Sequence, residues 1–289
     1  MRIKIILGLV VLIVVLLLLF SKTGFLQKSF IDNRDLEKWD YTNNQIVGSE
    51  EFRLQGNHDY CWILIHSYTA TPKEMKELGH SINTKFNDTV YAIRLSGSGQ
   101  APSQINDKSL EIWYEEVQSV YIDINNECNN VNVVGSSLGA DLAMKLAEEK
   151  NLGRLYLVNP FLITKFKPLF VFSSLIHFVK KGKVAQINDE RGLNEHIAYT
   201  NMPLNPIKNS FSFIEERIQN INRITEQTMI LHSINDKASS LKNAKMIFDN
   251  INSTNKKIIW FNQSNHILLM DYDKEAVIKS ILDFELSAR

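Results

Sequence analysis

Chemistry in this 289-residue chain concentrates at a serine held between two glycines. Gly135-Ser136-Ser137-Leu138-Gly139 follows an apolar run that begins at Val131, and it opens a segment with helical spacing, Leu138 to Lys150. A nucleophile at a strand-to-helix corner needs strained backbone angles. Side chains two positions before and after it would collide, so glycine stands at both places. The free N–H groups and dipole of the helix beginning there favour negative charge at the same spot. Ser136, the rival hydroxyl, has no glycine at minus two or plus two. Ser137 is the candidate nucleophile.

A serine needs a base, and the base needs a carboxylate to orient it. Of the seven histidines, only His266 follows a late apolar strand, Ile258 to Phe261. Asp236 precedes it in chain order, in the loop after the strand Met229 to Ser233. That loop is where an orienting acid belongs, although Asp236 could also serve as a turn former ahead of Ser239. Asp271 and Asp273 come after His266, out of the order serine, acid, histidine. The developing oxyanion needs two N–H donors. Leu138 supplies one. The loop after Ile63-Leu64-Ile65-His66 is the place for the other, at Tyr68. His66 itself fits a loop-shaping role better than that of base. Together these groups predict acyl transfer through a covalent intermediate.

Lys+Arg and Asp+Glu both number 32, so no net charge draws the chain to nucleic acid. No Cys/His cluster has metal-ligand spacing, and no glycine-rich turn has a phosphate-cradling pattern, so no metal or organic cofactor is implied. The two cysteines are Cys61 and Cys128. Cys61 lies in an apolar strand pattern and reads first as a small buried hydrophobe; a disulfide with Cys128 is the alternative in an oxidising compartment.

These residues must be positioned by alternating elements. Short apolar runs recur at Glu50 to Leu54, Tyr60 to His66, Thr89 to Leu95, Val131 to Gly135, Arg154 to Asn159, Thr228 to Ser233 and Lys257 to Phe261. The first two flank a Gly56-Asn57 turn. Helical spacing marks Pro72 to Lys85, Leu110 to Asn126, Leu138 to Lys150, Ser239 to Asn250 and Lys274 to Leu286. The alternation predicts an α/β fold with a mostly parallel, doubly wound sheet. It breaks at about 161–222, where no strand is evident and a mostly helical inserted lid is expected. The apolar part of this stretch includes Phe166, Leu169, Phe170, Phe172 and Phe178, and Lys180, Lys181 and Lys183 end it.

Residues 1–24 are of another kind. Arg2 and Lys4 precede an unbroken apolar run from Ile5 to Phe20. As a helix it would span about 24 Å, a little short of the bilayer core, with Lys4 and Lys22 able to snorkel. The expectation is an uncleaved signal anchor with the domain outside the cytoplasmic membrane; a cleaved signal peptide and a secreted or periplasmic protein is the alternative. Residues 25–47 read as a stalk, and 48–289 as the catalytic domain.

From Gly48 to Leu286 the chain resembles the bacterial carboxylesterase and monoacylglycerol-lipase-like branch of the α/β-hydrolases. Its L-L-I-H-G-F-T-G oxyanion loop appears as Leu64-Ile65-His66-Ser67-Tyr68-Thr69-Ala70, and its R-L-x-G-H-G turn as Arg94-Leu95-Ser96-Gly97-Ser98-Gly99. Its G-L-S-M-G elbow appears as Gly135 to Gly139. The acid and base motifs match Asn235-Asp236 and Ser264-Asn265-His266, and a Tyr and Pro-Leu of the lid match Tyr199 and Pro203-Leu204. The resemblance implies a serine hydrolase that acts on short- or medium-chain esters or monoacylglycerol. Thioesterase, amidase or acyltransferase activity on the same triad, or a non-catalytic binding role, are the alternatives. Ser67, Ala70 and Ser98 depart from the pattern, and a positive φ at Ser67 would strain the oxyanion loop by roughly 1–2 kcal/mol.

Overall fold

A computed structural model of the chain describes residue 8 and residues 10–16, 31–162, 178–180 and 186–289. Seven strands form the main sheet: β1 (Phe52–Leu54), β2 (Asn57–Ile65), β3 (Asp88–Ile93), β4 (Asn130–Ser136), β5 (Arg154–Val158), β6 (Gln227–Ser233) and β7 (Lys256–Phe261). Their spatial order is β7-β6-β5-β4-β2-β3-β1. All neighbours are parallel except β1, which runs antiparallel to β3 at the edge.

The continuous apolar runs are explained by burial on both faces. Along β2, Ile63 and Ile65 enter one core, while Trp62 and Leu64 enter the other. Alternate residues of β4 and β5 divide the same way: Val133 and Leu155 pack on the first face, Val134 and Tyr156 on the second. Helices α1 (Lys76–Phe86), α2 (Leu110–Glu127), α3 (Leu138–Glu149), α4 (Asn205–Asn220), α5 (Leu241–Asn250) and α6 (Lys274–Ala288) supply the covering layers. Apolar residues of α2, α3, α4 and α5 join the first core, and those of α1 and α6 the second. The fold is α/β, doubly wound around a mostly parallel sheet.

Several expectations change on the structure. The runs either side of Gly56-Asn57 are not sheet neighbours, because β3 lies between β1 and β2. Gly56 passes so close to the chain before β3 that a Cβ there would sit 2.3 Å from the Asn87 carbonyl oxygen, and Asn57 N–H donates to that oxygen at 2.6 Å. Cys61 is buried but not free: it is disulfide-bonded to Cys128, which tethers β2 to the chain just before β4. Residues 31–47, expected within the stalk, fold against the domain. Ile46 is fully buried in the first core, and Asp35 accepts hydrogen bonds from Thr200 N–H and Oγ–H.

Between β5 and β6, which are adjacent and parallel, the chain makes its long excursion. It contains α4, a short helix Glu190–Glu195, and a two-stranded antiparallel ribbon, Phe178–Lys180 with Asn201–Pro203. The ribbon is not marked by the hydrophobic pattern, being only three residues a side. Most of the apolar stretch Phe166 to Val179 lies outside the described residues, as do Lys181 and Lys183. Most of the expected anchor, 1–24, also lies outside them. Among the described residues, no helix is long and apolar enough to cross a membrane.

Candidate active site

Ser137 stands where β4 gives way to α3, with φ 52° and ψ −114°. Such a conformation costs about 1–3 kcal/mol and persists only when its surroundings enforce it. Here the glycines do so. A Cβ on Gly135 would lie 2.3 Å from the Gly139 carbonyl oxygen, and one on Gly139 would lie 2.4 Å from that of Ile65. The Ser137 N–H donates to the Val158 carbonyl at 2.9 Å, so β5 holds the corner from its other side.

The structure brings the three predicted polar residues into one row. His266 Nε2 lies 2.8 Å from Ser137 Oγ, and its Nδ1 lies 2.7 Å from Asp236 Oδ2. The Asp236 side chain and the His266 ring are both withdrawn from solvent. The other oxygen of Asp236 accepts from the N–H groups of Ala238 and Ser239, both at 2.7 Å. Turn forming and histidine orienting are thus divided between the two oxygens of one carboxylate. Burial pushes this carboxyl up, but the facing His266 charge and hydrogen bond and the Ser239 N–H outweigh it, and its pKa lies below the ordinary value. An ionised Asp236 takes the Nδ1 proton as its donor, which leaves Nε2 to accept from Ser137.

Residues that no spacing rule singles out hold this row in place. Asn159, at φ 43°, follows β5. Its amide donates to the carbonyls of Asn265 and His266, and its oxygen accepts from Ser233 N–H at 2.8 Å, so it joins the acid loop to the histidine loop. Asp271, out of order as an orienting acid, accepts from Asn265 N–H at 2.7 Å and from the N–H groups of Asn188 and Asp189. It clamps the histidine loop to the excursion. Asn159 follows the apolar run of β5, and that position was its only visible signal in sequence.

Tyr68 and Leu138 border the same cavity as Ser137 and His266. The strain expected at Ser67 is absent; in this loop the positive φ belongs to Thr69, at 60°. Ser67 instead turns inward. Its N–H and Oγ bond to Glu74 at 3.0 and 2.8 Å, and Ser136 Oγ–H donates to the same carboxyl at 2.6 Å. Ser67, a departure from the resembled motif, and Ser136 therefore meet on one buried group, whose pKa burial pushes up. The result ties the loop carrying Tyr68 to the strand that ends just before Ser137. His66 shapes the loop as expected. Leu95 N–H donates to its Nε2 at 3.3 Å, so Nδ1–H donates to the Ser67 carbonyl at 2.8 Å, and burial lowers its pKa to about 4. It stays neutral and is fully engaged. Among the described residues, no group of three or more His, Cys, Asp or Glu could hold a metal ion.

The cavity beside Ser137 has a volume of about 210 Å³, and its walls include Leu110, Phe161, Met202, Ile207, Ile214 and Ile267. Its shape and apolar lining suit a small organic group whose reacting atom reaches the serine.

Comparison with known proteins bears on the fold and on distant kinship. No family model matches the chain. A carboxylesterase of Bacillus subtilis is 20% identical over 243 residues, 83% of this chain and 97% of that protein. A thermostable monoacylglycerol lipase of a Bacillus species is 24% identical over 246 residues, 83% of this chain and 95% of that protein. Among solved structures, a metagenome-derived lipolytic enzyme superposes with a TM-score of 0.76 at 21% identity, covering 82% of this chain and 97% of its own. The monoacylglycerol lipase of Paleococcus ferrophilus gives 0.71 at 15% identity, covering 83% and 99%. The chain is a carboxylesterase- and monoacylglycerol-lipase-like protein of the α/β-hydrolase fold, distantly homologous to such enzymes over most of its length.

Proposed function

We propose that the protein is a serine carboxylic-ester hydrolase acting on short- or medium-chain esters or monoacylglycerol, with Ser137, His266 and Asp236 as its catalytic triad. The observation that carries this reading is the continuous hydrogen-bonded row from Asp236 through His266 to Ser137, opening on an apolar cavity. His266 Nε2 takes the Ser137 proton as Oγ attacks the ester carbonyl, and Asp236 stabilises the imidazolium so formed. The N–H groups of Leu138 and Tyr68 receive the oxyanion, each worth roughly 3–4 kcal/mol by analogy with other acyl-transfer sites. His266 then gives the proton to the leaving alcohol. Water, activated by the same imidazole, releases the acid from Ser137.

Residues 161–222 act in this reading as a lid over the cavity. Met202, Ile207 and Ile214, all from the excursion, already form part of its wall. The test is hydrolysis of p-nitrophenyl esters from acetate to decanoate and of monoacylglycerols. Turnover with an optimum at short or medium chain length is expected. A folded protein that leaves every one of them intact sinks the proposal.

We further propose that residues 1–24 anchor the protein and that the domain lies outside the cytoplasmic membrane. Two observations support this placement. Residues 10–16 are helical, and Val10 through Leu16 are exposed apolar side chains. The Cys61–Cys128 disulfide suits an oxidising compartment.

A further inference from the structure

The cavity beside Ser137 contains a buried acid for which ester hydrolysis as described has no use. Asp141 lies in the first turn of α3, one turn beyond the nucleophile, and lines that cavity. It is fully buried, and among the described residues neither carboxyl oxygen has a hydrogen-bond partner. A buried polar group left without a partner is costly, and an apolar residue at the same helical position would avoid that cost. Its neighbours Ala140 and Ala143 show that small apolar residues fit this helix. Arg217 attracts its charged form, but no described residue takes up its hydrogen-bonding capacity, and a group entering the cavity from outside can do so.

The surroundings decide what that group is. Burial pushes the Asp141 carboxyl well above its usual range, against the attraction of the Arg217 charge, and so favours the neutral acid, which offers one O–H donor and one carbonyl acceptor. A carboxylic acid kept neutral in an apolar site can donate a hydrogen bond at neutral pH. Arg217 already contributes positive charge nearby, while its guanidinium is held by Glu148 and Glu216. A second cation, such as a substrate ammonium, would meet a cavity already bordered by Lys237 and would have to leave water for largely apolar walls. A neutral hydroxyl suffers neither penalty, and it matches the acid by both donating and accepting.

We propose that Asp141 is a specificity-determining residue that receives a hydroxyl of the substrate, so that the site prefers hydroxylated esters over their deoxy counterparts. This rests on the ester-hydrolase reading. The hydroxyl can belong to the acyl chain or to the alcohol, and two matched series separate the sources: hydroxyacyl against plain acyl methyl esters, and glycerol or glycol monoesters against simple alkyl esters of the same acid.

The native protein is expected to favour the hydroxylated member of one series by roughly tenfold or more in kcat/KM, the scale set by leaving a buried polar group unpaired. Asp141→Ala should bring that ratio to about one, through loss on the hydroxylated ester, and should unfold at a temperature no lower than the native protein. Asp141→Asn, still a neutral donor and acceptor, should keep part of the preference. No preference in either series, a preference that survives Asp141→Ala, or an Asp141→Ala protein that is less stable or fails to fold would each overturn the inference. Plain-ester turnover without a hydroxyl preference defeats this inference alone. Absence of turnover on every ester defeats the ester-hydrolase reading and this inference with it.

Discussion

Replacing Ser137 with alanine will lower kcat for ester hydrolysis by about 10⁴- to 10⁶-fold, the range seen when a triad nucleophile is removed. The thermal midpoint should move little, because the corner is enforced by Gly135, Gly139 and the bond to Val158 rather than by the serine hydroxyl. Asp236→Asn should cost about 10⁴-fold. Asparagine can still accept from Ala238 and Ser239 through its oxygen, so the turn survives. Its amide nitrogen cannot accept the His266 Nδ1 proton, so the imidazole is held in the wrong tautomer or loses its orientation. The two changes together should cost no more than Ser137→Ala alone, since residues that act as a unit are not additive. Steady-state kinetics on the best p-nitrophenyl ester reads all three. A Ser137→Ala protein retaining a tenth of native activity would place the nucleophile elsewhere, and Ser136 is a poor substitute because its hydroxyl is committed to Glu74.

Removing the disulfide is expected to have the largest effect on stability. Cys61 and Cys128 are 67 positions apart. By the chain-entropy relation, cross-linking a loop of that length stabilises by about 4 kcal/mol. Cys61→Ala with Cys128→Ala should therefore lower the thermal midpoint by about 10 °C in a domain of this size. Thermal unfolding checks it; an unchanged midpoint would mean that the bond contributes nothing. The same pair reports on location. Protein taken from cells directly into an alkylating reagent should show neither cysteine modified. Two reactive thiols would contradict an extracytoplasmic domain.

The strands and helices of the main sheet are legible in the sequence because burial on one or both faces imposes a period on the chain. The elbow is legible because close backbone approach leaves only glycine at two fixed positions. Periodicity reports that a segment is buried but not what lies beside it. Hence β1 and β2, adjacent in sequence, are separated by β3, and Cys61 could be read as a plain hydrophobe although its partner stands just before the neighbouring strand β4. The polar spacing of residues 31–47 hides Ile46 and Asp35, whose partners are more than fifty and one hundred residues away. Glu74 and Asp271 lack a local signal for the same reason, and Asn159 has only its place after β5: each acts by joining segments that are distant in sequence. The strain assigned to Ser67 failed because the loop places its one positive φ two residues later, at Thr69, and uses the Ser67 side chain as a tether.

The most direct test of the central claim is covalent labelling of the full-length protein with a fluorophosphonate, followed by peptide mass mapping, alongside Ser137→Ala. A serine activated by the adjacent imidazole attacks phosphorus as it would an ester carbonyl. The account predicts one adduct, on Ser137, absent from the alanine variant. A folded native protein that takes no label, or carries it on another residue, would contradict the assignment of Ser137 as nucleophile and with it the proposed mechanism.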